Sequence, residues 1–210
     1  MMKELIAGHA RKKDLIKRRL RQFKKTWNGT EKKIFSELCF CICTPQSRAV
    51  YCDKAVSRLE RSGTLFTGTV RQIRKGLEAV RFPNNKARYI VGARKLFTTD
   101  GSIRIKDKID PGDILKTRDW LVMNVKGLGY KEASHFLRNI GFGRGLAILD
   151  VHIIRNLIRY GVVEEAPSNL SRARYLRIEE KMRKFSQKID IPMEELDLLF
   201  WSEETGEIFK

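Results

Sequence analysis

The sequence predicts an all-α fold. Helix caps, glycine stops and proline breaks recur along the whole chain, with apolar residues at helical spacing between them. No segment alternates apolar and polar residues with the period of two that marks a strand. With 210 residues, the chain is long enough to bury a core as one large domain or as two small lobes.

Caps and breakers place the individual helices. Thr30 has the side chain of an N-cap, and Pro45 ends the helix that Thr30 begins. Asp110 followed by Pro111 gives a cap with proline in the first helical position. These signals predict helices at residues 3–26, 30–43, 47–62, 67–81, from 86, 110–125, 131–140, 150–160, after 168 and after 192. A turn is expected at residues 99–102.

The charge balance points to a polyanionic partner. Lys and Arg total 43 against 25 Asp and Glu, a formal net charge of +18. The alternatives are a merely soluble surface and heat adaptation, but heat adaptation enriches Glu alongside Lys and so does not explain the surplus of cations. Nucleic acid is therefore the expected partner. No run of 18 apolar residues and no signal-peptide core occur, so we expect no membrane contact and a cytoplasmic, nucleoid-associated protein.

The four cysteines are confined to one short stretch, which predicts no disulfide framework. Cys39 and Cys43 are four residues apart and share one helix face, whereas Cys41 points to another side and Cys52 lies beyond the helix. These side chains cannot converge on a metal without breaking that helix. We expect buried thiols in a reducing compartment and no metal site.

A tight turn between two helices contains Gly127 and Gly129. Glycines there leave the N-terminal amides of the second helix open, and these amides with the helix dipole form a seat for a phosphate. Lys126 is a further candidate for phosphate contact. The alternative, a plain antiparallel helix pair with a tight loop, is equally compatible with the hairpin alone.

Lys131 and Asp150 are the candidate catalytic residues. Lys131 lies at a helix start, where the dipole disfavours a cation and favours the free amine that a nucleophile needs. Asp150 follows an apolar run and precedes a helix, so it is also a candidate N-cap. The alternatives are an exposed lysine that meets a phosphate and an aspartate that only caps. His152 is either a phosphate contact or a packed side chain.

These residues together resemble the signature of the helix-hairpin-helix DNA glycosylases. The hairpin VKGLGYKEA at residues 125–133, followed by LDVH at 149–152, is similar to that of the type-2 8-oxoguanine DNA glycosylases of archaea and some bacteria. The chain length, the cysteine-rich second helix, residues 82–89 and the ending at 201–210 fit the same branch. No cysteine follows Cys52, which disfavours the iron-sulfur branch related to endonuclease III.

The resemblance implies a fold and a mechanism. It implies one domain with two helical lobes, a central one at 45–140 and a terminal one at 1–44 plus 141–210, and the hairpin at the cleft between them. It implies that a monomer binds duplex DNA with 8-oxoguanine or an abasic site, that Lys131 attacks the sugar C1′ and that Asp150 assists. A Schiff base and β-elimination follow, which require no metal or organic cofactor; a cation on the hairpin carbonyls stays possible as a link to phosphate.

For the base pocket, the resemblance implies Trp201 as the stacking surface and the chain terminus at Lys210 as the reader of the base edge. Gln46 is similar to the residue that relatives insert into the gap left by the flipped base. The alternatives are an ordinary core tryptophan, a frayed tail and a helix cap, respectively. Two other functions remain open: a related glycosylase for oxidised pyrimidines, and a non-catalytic DNA-binding module that needs neither Lys131 nor Asp150.

Overall fold

The structure is a computed structural model that describes residues 2–210, and it confirms the all-α prediction. The helices of this part of the chain are α1 Met2–Trp27, α2 Glu31–Cys43, α3 Ala49–Arg61, α4 Thr64–Thr67, α5 Val70–Gly76, α6 Pro83–Phe97, α7 Ile114–Asn124, α8 Tyr130–Asn139, α9 Val151–Arg159, α10 Arg172–Lys188 and α11 Met193–Thr205. The turn expected at residues 99–102 joins two short antiparallel strands, β1 Thr98–Thr99 and β2 Ser102–Ile103. A 3-10 turn follows at Ile105–Lys108.

Two predicted helix starts are wrong, and side-chain reach explains both. The helix expected from Thr67 begins after Thr69, whose amide donates to Gln72 Oε1 at 2.8 Å while its hydroxyl accepts from the Gln72 amide. Thr67 has no such partner three residues on, so it cannot form this reciprocal capping box. The helix expected from Asp110 is capped by Asp113 instead.

Proline sets the start of α6 earlier than predicted. The helix begins at Pro83 and not near Lys86, because proline fixes the backbone for the first helical position. Phe82 precedes it with φ of +57°, in the left-handed region that costs a bulky side chain energy. Its side chain is half exposed.

The buried side chains form two hydrophobic cores. The first is built by helices from α2 to α8, and the second by α1 and α9–α11. The loop between α8 and α9 joins them, because Leu146 packs in the first core and Ala147 in the second. Residues 31–43, which the expected lobe boundaries group with the termini, pack in the first core.

The four cysteines are buried and form no disulfide bonds. Burial raises the pKa of the Cys52 thiol to about 11, and it also raises the pKa values of the other three thiols. Within residues 2–210 no group of three His, Cys, Asp or Glu side chains is arranged to hold a metal ion. In the same range no helix has both the length and the apolar character needed to cross a membrane.

Candidate active site at the hairpin and the C-terminal tail

The hairpin joins α7 to α8 through residues 125–129 and depends on Gly127. Its φ of +94° lies in a region that L side chains rarely adopt, and an added Cβ would stand 2.4 Å from Cδ2 of Tyr89. Gly127 therefore lets the hairpin turn approach Tyr89 of α6. Gly129, the N-cap of α8, has ordinary extended geometry, so it is not required for its φ.

Glu132 completes the hairpin in a way that the sequence analysis missed. Its Oε2 accepts from the Gly129 amide at 3.1 Å, and its Oε1 lies 2.8 Å from Lys131 Nζ. The Gly129 amide is therefore already satisfied, and the amides of the next helical residues are the ones left to face a phosphate. A Glu three residues after the N-cap is the capping-box spacing, which was the available signal.

Lys131 lies in the first turn of α8 with 22 % of its side chain exposed. One turn further on is His135, which is buried. Burial lowers the pKa of the His135 imidazole well below its usual range. The cations of Arg138, Lys131 and Lys210 add to this effect, while a backbone hydrogen bond with Lys210 opposes it. Lys131 and Lys210 therefore both act on one neutral imidazole. The sequence analysis missed His135, although an i, i+4 spacing from Lys131 on a helix indicates a shared face.

Asp150 caps α9, as predicted. Its Oδ1 accepts from the amides of His152 and Ile153, both at 2.9 Å, and its Oδ2 takes no part in the cap. The carboxylate is thus held in one orientation with one oxygen to spare. Burial raises the pKa of the Asp197 carboxyl to about 7. The Arg138 cation opposes this rise, and the Asp150 carboxylate adds to it.

An aromatic chain connects α9 to the C-terminal tail. The His152 ring meets Trp201 edge to face with centroids 6.4 Å apart, and Trp201 stacks on Phe209 at 6.2 Å. Trp201 is only partly buried, so it is not an ordinary core residue. The His152 Nδ1 is 3.7 Å from Glu204 Oε2.

Lys210 is anchored, so the tail does not fray at its last residue. Its Nζ lies 3.0 Å from Glu37 Oε1 and 2.6 Å from Asp53 Oδ1, and 4.8 Å above the Phe40 ring. Although burial acts in the opposite direction, Glu37 and Asp53 raise the pKa of the Lys210 ammonium. Glu37 and Asp53 are far from Lys210 in the chain, and no local pattern predicts their contact.

Gln46 lies in the turn between α2 and α3 with φ of +55°. The N-cap of α3 is Arg48, so the alternative that Gln46 caps this helix is wrong. Lys86 holds the turn by donating to the carbonyls of Cys43 at 2.6 Å and Pro45 at 2.8 Å.

Lys126 is exposed and lines a groove of about 600 Å³ between α6 and the hairpin. Arg88 and Lys95, which the sequence analysis did not single out, line the same groove and add two cations beside the hairpin.

Two helices joined by a glycine turn, with a lysine opening the second helix, make this a helix-hairpin-helix protein. The chain belongs to the 8-oxoguanine DNA glycosylase family, whose helix-hairpin-helix model matches residues 16–191. It is 47% identical to an 8-oxoguanine DNA glycosylase/AP lyase of Fusobacterium nucleatum over 93% of this chain and 91% of that protein. It is 41% identical to one of Korarchaeum cryptofilum, over 96% and 93% respectively.

Comparison of this structure with solved structures indicates the same family. The chain is similar to the 8-oxoguanine glycosylase/lyase of Methanocaldococcus jannaschii in complex with a 15mer DNA containing 8-oxoguanine. The TM-score is 0.88 at 34% identity, covering 99% of this chain and 100% of that one. The 8-oxoguanine DNA glycosylase of Thermotoga maritima gives a TM-score of 0.87 at 34% identity, covering 100% and 98%.

We expect Gly127→Ala to loosen the hairpin. The strained φ and the approach to Tyr89 together should lower the free energy of unfolding by about 2–4 kcal/mol and weaken DNA binding several-fold. Gly145→Ala is the matched control, because its φ is +76° but an added Cβ meets nothing within 4 Å. That control should lose only about 1–2 kcal/mol. Thermal unfolding and duplex binding by fluorescence anisotropy measure both; equal losses would contradict the role given to Tyr89.

Proposed function

We propose that this protein is a bifunctional 8-oxoguanine DNA glycosylase and AP lyase, with Lys131 as its nucleophile and Asp150 as the assisting carboxylate. The observation that carries the proposal is the amine of Lys131, partly buried in the first turn of the second hairpin helix. A DNA-binding module without chemistry has no need of a lysine there. Two of the relatives named above, glycosylase/AP lyases from one bacterium and one archaeon, support the same function.

The chemistry begins with extrusion of the damaged nucleotide, because its sugar C1′ is hidden inside the duplex. The Lys131 amine adds to C1′ and the bond to the base breaks. The proton that the amine loses passes to the Glu132 carboxylate, which lies 2.8 Å from Lys131 Nζ. Asp150 helps activate the amine and balances the positive charge that develops on the sugar. The sugar ring then opens as the C1′–O4′ bond breaks, which gives a Schiff base between Lys131 and C1′. The Schiff base acidifies C2′, and loss of a proton from this carbon expels the 3′ phosphate by β-elimination, which cuts the strand on the 3′ side.

The terminal carboxylate of Lys210 reads the base. Guanine N7 accepts a hydrogen bond, whereas 8-oxoguanine carries a hydrogen at this position and donates one. An ionised carboxylate only accepts, so it favours the lesion and repels the normal base. Glu37 and Asp53 hold the side chain of Lys210, which limits where its carboxylate can lie. Trp201, already stacked with Phe209, offers the face on which the base lies.

The surrounding cations and the hairpin hold the duplex. Lys126, Gly127 and Gly129 face the phosphates, His152 adds a contact near Asp150, and Gln46 fills the gap left by the flipped base. The strained backbone of Gln46 supports this role, because strain of this kind clusters at functional sites. The protein acts as a cytoplasmic, nucleoid-associated monomer whose two lobes meet at the DNA. Of the expected lobes, 45–140 and 1–44 plus 141–210, the first also takes in residues 31–43, because they pack in its core.

Borohydride should trap a covalent complex between the protein and a duplex holding 8-oxoguanine, because an attacking amine passes through a reducible Schiff base. Lys131→Gln should abolish trapping and leave the duplex affinity within a few-fold. Lys126→Gln, the other lysine of the hairpin, is the matched control and should still trap. Trapping by the Lys131 variant would mean that another amine attacks. If the unchanged protein is trapped on none of the lesions, oxidised pyrimidines included, a non-catalytic module is favoured.

Asp150→Asn should separate the cap from the chemistry. Asparagine caps helices about as well as aspartate, so the melting temperature should change little. The charge that assists the amine is lost, and single-turnover excision of 8-oxoguanine should fall roughly a hundred-fold or more, within the range of one general acid–base group. An unchanged excision rate would reduce Asp150 to a structural role.

Deleting Lys210, or adding residues after it, should lower the preference for 8-oxoguanine over guanine. An unpaired buried donor costs about 1–3 kcal/mol, which corresponds to a loss of preference of roughly ten-fold to hundred-fold. Cleavage at a preformed abasic site should be affected less, because no base is read there. Single-turnover excision of the two bases measures the ratio. Full preference in both variants would show that the terminus is not the reader.

A further inference from the structure

A buried ion pair lies behind the hairpin, away from the residues given a role so far. Arg118 on α7 meets Glu179 on α10 through two hydrogen bonds, Nη1 to Oε2 at 2.6 Å and Nη2 to Oε1 at 2.9 Å. The two side chains are 2 % and 3 % exposed. Arg118 Nη1 also donates to the Ser134 hydroxyl on α8 at 3.1 Å. One guanidinium thus connects both hairpin helices to α10.

The same network holds one residue, Ala147, of the loop that leads to Asp150. The Ala147 amide donates to Glu179 Oε2 at 2.8 Å, and the Ala147 carbonyl accepts from the Tyr175 hydroxyl at 2.5 Å. Both polar groups of this residue are therefore bound by side chains of α10. The Asp150 amide bonds to the Ile148 carbonyl at 2.7 Å, so the chain between the grip and the carboxylate is short and folded.

The ion pair is poorly explained by stability alone. A buried pair of this kind is often no more stable than apolar side chains of equal volume, because desolvation offsets the attraction between the charges. Here, though, one carboxylate oxygen accepts from both Arg118 and the Ala147 amide, which no apolar side chain can do. The arrangement thus links the helix that begins with Tyr130 and Lys131 to the loop that ends in Asp150.

We propose that Arg118, Tyr175 and Glu179 are positioning residues, which fix the Asp150 carboxylate relative to Lys131 by holding Ala147. This inference rests on the proposed function, in which both residues act on the same sugar. The network fixes the position of Ala147 at one end of this segment, and the α9 cap fixes the Asp150 carboxylate at the other end. Catalytic groups displaced by about 1 Å lose up to roughly a hundred-fold in rate, so the grip on Ala147 has a kinetic consequence.

Tyr175→Phe tests the proposal, because it removes one hydroxyl and keeps the ring that packs on Tyr130. Single-turnover excision of 8-oxoguanine should fall about ten-fold, while the duplex Kd stays within two-fold. The matched control is Tyr160→Phe, which removes a hydroxyl from a tyrosine packed on the same core but outside the grip on Ala147. It should keep the parent excision rate. Thermal unfolding verifies that both variants are folded.

The decisive measurement repeats Tyr175→Phe in an Asp150→Asn background, with excess enzyme and long reaction times. A hydroxyl that acts through the Asp150 carboxylate has no further effect once that carboxylate is gone, so the two losses should not multiply. Multiplying losses, or an equal loss in Tyr160→Phe, would overturn the positioning role. If Tyr175→Phe keeps the parent excision rate while Asp150→Asn excises slowly, the positioning role is overturned and the proposed role of Asp150 stands. A fast Asp150→Asn would overturn the proposed role of Asp150 and the positioning role with it.

If Tyr175→Phe does not fold, the double variant Arg118→Met with Glu179→Leu replaces it. This variant removes both charges together, so neither stays buried without its partner, and it takes away the acceptor of the Ala147 amide. The expected result is again an excision rate that falls in the parent and is unchanged in the Asp150→Asn background.

Discussion

The ion pair between Arg118 and Glu179 is the interaction that fixes the two hairpin helices, α7 and α8, relative to α10. It lies where both hairpin helices meet α10, and it is almost fully shielded from water. Removing one partner of such a pair costs about 3–5 kcal/mol, because the other charge stays buried without compensation. The two cores are therefore connected by a contact that tolerates little displacement, and the loop between them carries the aspartate of the site.

The site itself is assembled from distant parts of the chain. The candidate lysine lies at the start of α8, the candidate aspartate is the N-cap of α9, and the proposed reader of the base is Lys210. Each is fixed by a different device: Glu132 pairs with the lysine, two backbone amides hold the aspartate, and Glu37 with Asp53 holds the terminal side chain. Helix N-termini supply two of the three, so the macrodipoles of α8 and α9 both point their positive ends toward the site.

The sequence predicted what depends on local chemistry. Thr30 and Asp150 cap helices because their short side chains reach amides two or three residues away, and such reach is readable from spacing. Thr67 was the wrong cap because a reciprocal partner, not the threonine itself, decides between nearby candidates. His135 and the anchors of Lys210 were not predicted in these roles, since only tertiary packing brings α2, α3, α8 and the tail together. Lys131 and Asp150 could be proposed from the sequence because the hairpin and the cap are local motifs, and their chemical roles stay predictions.

The buried cysteines bear on the conditions under which such a protein has to work. Oxidants that convert guanine to its 8-oxo form also attack thiols, and they do so through the exposed thiolate. All four thiols here are buried, and burial raises their pKa, so they stay protonated and out of reach. The thiols of Cys41 and Cys52 can therefore pack in the core without being oxidised there under oxidative stress, when the lesion in DNA is most abundant.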